Sequence, residues 1–272
     1  MPNFVKTVIH FPDSFDMGDF RRRHITLDEE SGDEIFDFNT LIRMPDEVGD
    51  VPASSDTVVG AKLVLAAMCP SLAFRLDGVG KAGAKEWARI DAALFGKKGM
   101  DQFSEDRLSE ESVAQAEEYL KGRPAEDRAK CVEHGKAYVA NALKYGAGDW
   151  YEWAIRNWGT KWNAMETYCS DDGPGDKSIE FQTAWDTPDP ILMALSREYP
   201  EGMMLVAYAD EDAGGYNCGA MLIQNGRVLR EWAPGGGEED RCAFAESVWG
   251  DEGAYRDLGL DMMYKTLRPA KA

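Results

Sequence analysis

Alternating apolar and polar positions predict two strands that lie far apart along the chain. Residues 3–11 read NFVKTVIHF, and their more apolar face carries Val5, Ile9 and Phe11. Residues 178–185 read SIEFQTAW and alternate in the same way. A period of two is typical of a strand with one buried face, so we predict that both segments join one sheet.

Turn residues divide the second half of the chain into shorter strands. Asn225-Gly226 between two apolar runs is the strongest hairpin signal in the sequence, because both residues tolerate left-handed backbone. A helix that begins within 186–190 and ends at Tyr199 is predicted from its prolines and apolar spacing. Further strands are predicted over residues 35–42, 165–169, 203–209, 216–224 and 227–232.

The middle of the chain has a different pattern, in which Ala, Leu, Glu and Lys replace the β-branched runs. Apolar residues there recur at helical spacing, as Val113, Ala116 and Leu120 do. A shorter helix near the N-terminus is predicted from Ser14 to Arg23, with three arginines in its last turn. Within the middle block, helices are predicted over residues 61–68, 84–95, 109–120 and 124–145.

Charge narrows the choice of partner. The 272 residues include 49 acidic and 30 basic side chains, which gives a formal net charge of −19. Such a field repels phosphate, so we do not expect direct binding to nucleic acid or to an anionic membrane. The five cysteines form no CxxC pair, which favours reduced thiols. Because the N-terminal residues also lack the layout of a signal peptide, a cytoplasmic location is predicted.

Several short segments resemble those of a known family. They are Met1-Pro2-Asn3, residues 36–45, the string NWGTKWN at 157–163, and residues 181–188 and 196–200. Together they resemble the YubB-like family, whose members carry a ferredoxin-like domain and are encoded mostly on plasmids, phages and prophages. The resemblance implies a fold and a genetic context. It implies no activity, because the family has none established.

The predicted fold class is α+β, a ferredoxin-like antiparallel sheet with a large helical insertion. Closing a sheet across a long insertion is tolerable, because the entropy cost of loop closure grows slowly with loop length. The predicted domains are a discontinuous ferredoxin-like domain over 1–50 and 146–234, the insertion over 51–145, and a C-terminal helical tail over 235–272 that packs on the core.

Residues that could carry catalysis do not assemble in the sequence. The three histidines are widely separated, and none lies at metal-ligand spacing from a cysteine or carboxylate. No nucleophile motif is present, and the GxGxxG-like string at 78–83 follows no clear strand, so it is interpreted as a turn. We therefore favour a non-enzymatic protein and predict no catalytic residue, metal or cofactor.

The tryptophan-rich segment around 156–162 admits two interpretations. Large aromatic residues mostly pack in cores, and Gly159 suits a tight turn, so a structural role is favoured. Alternatively, the segment grips a small molecule or nucleotide, and the protein is a binder or hydrolase of that ligand. The candidate ligand-binding residues are Arg156, Asn157, Trp158, Lys161 and Trp162.

Acidic residues suggest a protein partner. Carboxylates on one surface can occupy a basic groove of a nucleic-acid-binding protein and block it. With the genetic context above, this favours a mobile-element protein that inhibits a basic host protein, as a counter-defence factor; the oligomeric state is not predicted. The candidate partner-binding residues are Asp28, Glu29, Glu30, Asp33, Glu34, Asp46, Glu47 and Asp50.

Overall fold

The computed structural model describes residues 3–28, 31–68, 110–171, 176–212, 217–235 and 237–250. Contacts within the chain divide it into two compact units. The sheet unit comprises Met1–Arg43 and Arg156–Ala272, and the helical unit comprises Met44–Ile155. The helical unit therefore lies, in sequence, between the two parts of the sheet unit.

The first part of the chain contributes a strand, a helix and a small hairpin, and the helical unit follows. In the first part lie β1 (Phe4–His10), α1 (Met17–His24), β2 (Ile25–Leu27), β3 (Glu34–Phe36) and a 3₁₀ turn over Phe38–Thr40. The next helices are α2 (Asp46–Gly49), α3 (Ser55–Met68), α4 (Glu110–Leu120), α5 (Ala125–Tyr145) and α6 (Trp150–Asn157).

The remaining described elements return to the sheet unit. They are β4 (Met165–Ser170), β5 (Ser178–Ala184), α7 (Asp189–Glu198), β6 (Met204–Asp210), β7 (Cys218–Gln224), β8 (Arg227–Trp232) and α8 (Glu238–Trp249).

The main sheet has the strand order β4-β5-β1-β6-β7-β8, and every neighbouring pair is antiparallel. Its first four strands, with α1 and α7 as the connecting helices, have the β-α-β-β-α-β order of a ferredoxin-like fold. Phe4 pairs with Ala184 and His10 with Ser178, which confirms that the two alternating segments join one sheet. The β7–β8 hairpin extends this core.

Each face of the sheet is covered by a different set of side chains. On one face, Phe36 and Phe38 place their rings 5.4 and 5.9 Å from the ring of Phe181, and all three side chains are fully buried. On the other face, Phe244 of α8 packs in a cluster with Val8 of β1. Such aromatic contacts bury large areas and fix the layers of the fold.

The predicted strand over 35–42 is wrong beyond Phe36. The Asp37 carboxylate accepts a hydrogen bond from the amide of Asn39, and the Thr40 hydroxyl donates to the Asp37 carbonyl. These local bonds compete with a strand ladder and bend residues 38–40 into a 3₁₀ turn.

The predicted hairpin at Asn225-Gly226 is confirmed. Asn225 and Gly226 have φ values of 46° and 70°, the left-handed conformation that such a turn requires. The amide of Gly226 also donates to the Ser196 hydroxyl at 2.8 Å, which fastens the hairpin to α7.

In the helical unit, α3 and α5 approach each other through glycines. A Cβ atom at Gly60 would lie 1.8 Å from the Cys131 carbonyl oxygen, and one at Gly135 would lie 2.1 Å from the Gly60 carbonyl carbon. Only glycine permits this separation of the two backbones.

The boundaries of the helical unit differ from those of the predicted insertion, because residues 44–50 and 146–155 pack on α5. Asn141 donates to the Glu47 carbonyl oxygen at 2.7 Å. The Tyr138 hydroxyl donates to the Glu152 carboxylate, which also accepts from the Gly148 amide at 2.8 Å. The predicted turn over 78–83, the helix over 84–95 and the tail beyond residue 250 lie outside the described residues.

Candidate functional site

A groove of about 730 Å³ lies over strands β1, β4 and β5, beside the turn that joins β2 to β3. Lys6 lines it and, by strand alternation, shares a sheet face with Val8, which packs under α8. The groove therefore lies on the α8 face, toward the β4 edge. Its acidic residues are Asp28, Asp33, Glu34, Glu166 and Glu180, and Lys6 is the one basic residue of the described lining.

The negative charge of two of these carboxylates is partly compensated by nearby basic side chains. Glu180 forms a salt bridge of 2.8 Å with Lys6, whose side chain is only 12% exposed. Glu34 lies 3.9 Å from the guanidinium of Arg21. Asp33 and Glu166 form no salt bridge with any residue of the described chain. The groove therefore keeps a strong excess of negative charge.

An irregular strand shapes one side of the groove. The register of β4 with β5 shifts between Met165 and Tyr168, and Glu166 has a φ of 48°. A left-handed residue in a bulge bends the strand and redirects its side chains. Tyr168 is 58% exposed and lines the groove, so an aromatic ring stands among the carboxylates.

The acidic hairpin is held against β4 by defined bonds. The amide of Phe36 donates to the Thr167 hydroxyl at 3.0 Å. Asn163, from the NWGTKWN string, accepts from the Phe38 amide and donates to the Asp37 carboxylate, each at 2.8 Å. The turn that carries the groove acids is thus fixed at its second strand.

The predicted acidic set separates between the two units. Asp28, Asp33 and Glu34 line the groove. The other described members belong to the helical unit, because the chain enters that unit at Met44. These are Asp46, Glu47 and Asp50, at α2 and its C-terminal end, whereas Glu29 and Glu30 lie outside the described residues.

Glu47 has a structural role within the helical unit. Its carboxylate lies 3.1 Å from the Lys144 ammonium, and its carbonyl oxygen accepts from Asn141. Hydrogen bonds from its own amide and from Lys144 lower the pKa of the Glu47 carboxyl. The Glu47 side chain therefore forms a surface ion pair with α5, and its backbone carbonyl fastens α2 to that helix.

Trp158 is a core residue, which corrects its assignment to a ligand-binding set. Its side chain is 4% exposed, and its indole N–H donates to the Ile42 carbonyl at 2.8 Å. Its ring also meets the edge of Phe38 at 5.8 Å. A buried and hydrogen-bonded indole has no face available to a ligand.

The other members of that set lie nearer the surface. Lys161 places its ammonium 4.4 Å from the ring centre of Trp162 and 5.0 Å from that of Trp185. Arg156 is exposed and Asn157 is half-buried, both at the end of α6.

Sequence reasoning missed Trp185 as a surface group, because alternation placed it on the apolar face of its strand. The structure gives it a φ of 73°, which turns it out of the strand and leaves it 42% exposed. A left-handed conformation is rare for a bulky residue, and no local sequence pattern predicts it here.

The buried thiols are poorly suited to nucleophilic catalysis. Cys131, Cys169 and Cys218 are free and buried, and burial raises the pKa of Cys169 to about 11. A raised pKa disfavours the thiolate that a nucleophile needs. Within the described ranges, no group of three or more His, Cys, Asp or Glu residues lies close enough together to hold a metal ion. No described helix combines the length and apolarity that crossing a membrane requires.

Comparisons with known proteins give a match for part of the chain. Residues 157–251 match the family model of the ferredoxin-like domain in Api92-like protein. Among solved structures, the crystal structure of the protein Api92 from Yersinia pseudotuberculosis is similar, with 11% sequence identity and a TM-score of 0.38 over 87% of this chain and 99% of that chain. The comparison with curated proteins gave no match.

The matched model confirms the ferredoxin-like fold that the sequence resemblance implied. The model is that of Api92-like proteins, and the resemblance to the YubB-like family stays a prediction. The matched segment spans β4 to α8, and the structure adds β1 and α1 to complete the ferredoxin-like order.

Proposed function

We propose that this chain is a non-enzymatic binding protein whose acidic groove holds a basic segment of a partner protein. The observation that carries the proposal is the lining of the groove, whose described residues include five carboxylates and one ammonium. Complementary charge speeds the encounter of two proteins and selects against partners of the wrong sign.

The groove suits a lysine- or arginine-rich segment better than a nucleic acid. Phosphates would meet Asp33 and Glu166, neither of which has a cation beside it in the described structure. A basic side chain gains attraction from the same carboxylates. The exposed ring of Tyr168 adds a cation–π surface for a guanidinium or ammonium group.

In its narrower form, the proposal names the partner class and the setting. The partner is a basic, nucleic-acid-binding host protein in the cytoplasm, and the chain inhibits it as the product of a phage or plasmid. The net charge of −19 and the sequence resemblance support this form. The groove carboxylates would then occupy positions that phosphates take on the partner.

The test measures binding of a fluorescent lysine- and arginine-rich peptide to the full chain by anisotropy. We expect saturable binding that weakens as salt rises, because solvent-exposed charge pairs are screened. The double variant Asp33→Lys/Glu34→Lys reverses two groove charges and is expected to weaken binding by at least about tenfold.

The matched control is Glu117→Lys/Glu133→Lys, which makes the same change in net charge on exposed positions of α4 and α5. We expect this control to change affinity by less than about twofold. Equal losses in both variants would mean that net charge alone attracts the peptide, and the groove would be rejected as its site.

The narrower form is tested by capture of host proteins on the wild-type chain and on the groove variant. A basic protein that is retained by the wild type alone, and that loses its nucleic-acid binding when the chain is added, supports it. A captured protein that is retained equally by both chains, or that still binds nucleic acid in the presence of the chain, contradicts it.

A further inference from the structure

A second hollow, of about 430 Å³, lies at the other edge of the sheet. Residues from the start of α7 and from strands β6, β7 and β8 line it. Tyr208 on β6 lines the hollow and pairs with Thr7 on β1. Thr7 and Lys6 are neighbours in one strand, so their side chains lie on opposite faces of the sheet. The hollow therefore lies on the face opposite to Lys6 and the groove. We call it the α7 pocket.

Three carboxylates of the α7 pocket have no cation beside them. Asp186, Asp189 and Glu231 form no salt bridge within the described part of the chain. Partial burial raises the pKa of Asp189, and repulsion from Asp186 and Glu231 raises it further. Partial burial also raises the pKa of Asp186. The fold therefore holds negative charge together with no cation of the described chain beside it, although the Thr187 amide donates to the Asp186 carboxylate at 2.8 Å.

The same pocket has an apolar side. Met193, Met221, Val228 and Tyr208 line it together with the carboxylates. Val228 is 41% exposed, so part of this apolar surface faces solvent. Aliphatic and aromatic groups beside carboxylates match a ligand that has a hydrocarbon chain between charged ends.

A buried hydroxyl provides an independent indication of a ligand. Thr187, between the two aspartates, lines the α7 pocket and is 6% exposed. Its Oγ1 atom has no hydrogen-bond partner in the described structure. Buried polar atoms are seldom left unpaired, because each such atom loses its bonds to water.

The arrangement favours an organic cation over a metal ion. The acidic groups of the described chain do not come close enough together to form a cluster of three metal ligands. An alkylammonium ion needs no such cluster, since its charges can be spaced along a chain.

We propose that the α7 pocket binds an aliphatic di- or polyamine. Its ammonium groups would pair with Asp186, Asp189 and Glu231, and its methylene chain would lie on the methionine and valine side chains. This site is separate from the acidic groove, so either proposal can fail without the other.

The test uses the full chain with spermidine and putrescine in isothermal titration calorimetry. We expect one molecule to bind per chain, and we expect Asp186→Asn/Asp189→Asn to weaken that binding by at least about tenfold. Asp33→Asn/Glu34→Gln removes two charges from the groove and serves as the matched control. It should change the affinity by less than about twofold.

The other arms of the experiment overturn the proposal in defined ways. Butylamine that binds as tightly as putrescine would show that the second ammonium group is not recognised. Equal losses in the two double variants, or equal competition by Mg²⁺, would show cation binding without a site. If neither amine binds but Asp186→Asn/Asp189→Asn weakens the basic peptide, the pocket belongs to the peptide surface instead.

Discussion

The acidic groove and the α7 pocket are both rich in carboxylates, but the two sites differ in how those carboxylates are paired with cations. In the groove, Glu180 is paired with Lys6, and Glu34 lies near Arg21. In the pocket, the described chain offers no cation to Asp186 or Asp189, and their pKa values are raised. The two sites lie at opposite edges and on opposite faces of one sheet.

This difference shows that the number of carboxylates alone does not define a binding site. Solvated and partly paired acids contribute little to the free energy of folding, and they suit a partner that is attracted at long range. Crowded and unpaired acids oppose folding slightly, and they are retained where a ligand supplies the missing charge. By our two proposals, the groove holds an extended basic segment, and the pocket holds a small cation.

The largest expected effect is a loss of stability when a core residue under the groove is truncated. Phe36 is fully buried at the base of the acidic hairpin, within 5.4 Å of the Phe181 ring centre. Phe36→Ala should lower the free energy of unfolding by about 3 kcal/mol, because it leaves a cavity under the hairpin. Urea denaturation measures this loss.

The milder variant Phe36→Leu separates stability from binding, and Phe244→Leu under α8 is its matched control. Each should cost about 1 kcal/mol. Of the two variants, only Phe36→Leu should weaken binding of the basic peptide, because Phe36 lies under the acidic hairpin and Phe244 does not. Equal effects of the two variants on peptide affinity would contradict the placement of that peptide in the groove.

An intermediate effect is expected from Lys6. Lys6→Met leaves Glu180 without its partner in a half-buried pair, so stability should fall by about 1 kcal/mol. The groove becomes more negative, and the basic peptide should bind about threefold more tightly. The double variant Lys6→Met/Glu180→Gln should return both quantities toward wild type. Weaker peptide binding to Lys6→Met would contradict a role for the groove charge.

The smallest expected effect is a gain in stability when a carboxylate of the α7 pocket is neutralised. The folded-state pKa of Asp189 is raised above its usual value of 3.8. Between the two pKa values the folded chain binds more protons than the unfolded chain, so stability falls as pH rises through that window. Asp189→Asn removes this loss and should stabilise the chain by about 0.5 kcal/mol at neutral pH, since the carboxylate keeps some contact with solvent.

Thermal unfolding of wild type and Asp189→Asn between about pH 4 and pH 8 checks this prediction. The gap in Tm should widen as pH rises, and Asp33→Asn serves as the comparison for a groove carboxylate. A gap that narrows toward neutral pH would show that the Asp189 carboxylate is stabilised, not opposed, by its surroundings.

Local signals in the sequence predicted much of the sheet unit. Alternation predicted β1 and β5, and Asn225-Gly226 predicted the β7–β8 hairpin, because these features depend on neighbours in sequence. The resemblance supplied the ferredoxin-like class. The early end of β3 was missed, because it depends on the hydrogen bonds of Asp37 and Thr40.

The candidate sites were predictable only in part. Asp28, Asp33 and Glu34 stand close together in sequence, so their shared surface could be anticipated. Glu180 joins them through strand pairing. The α7 pocket depends on the approach of β8 to the start of α7, which brings together acids at 186, 189 and 231, and no sequence pattern records such an approach.

The central claim is that the groove holds the basic partner segment, and photo-crosslinking tests it most directly. Tyr168, which lines the groove, is replaced by p-benzoylphenylalanine, and Leu229 on β8 is replaced in a control chain. Both side chains are exposed, and β8 lies five strand positions from β4, about 24 Å along the sheet. The account predicts that the peptide crosslinks at position 168 and that Asp33→Lys/Glu34→Lys removes the crosslink. Equal crosslinking at position 229, or a crosslink at 168 that survives the charge reversal, would contradict it.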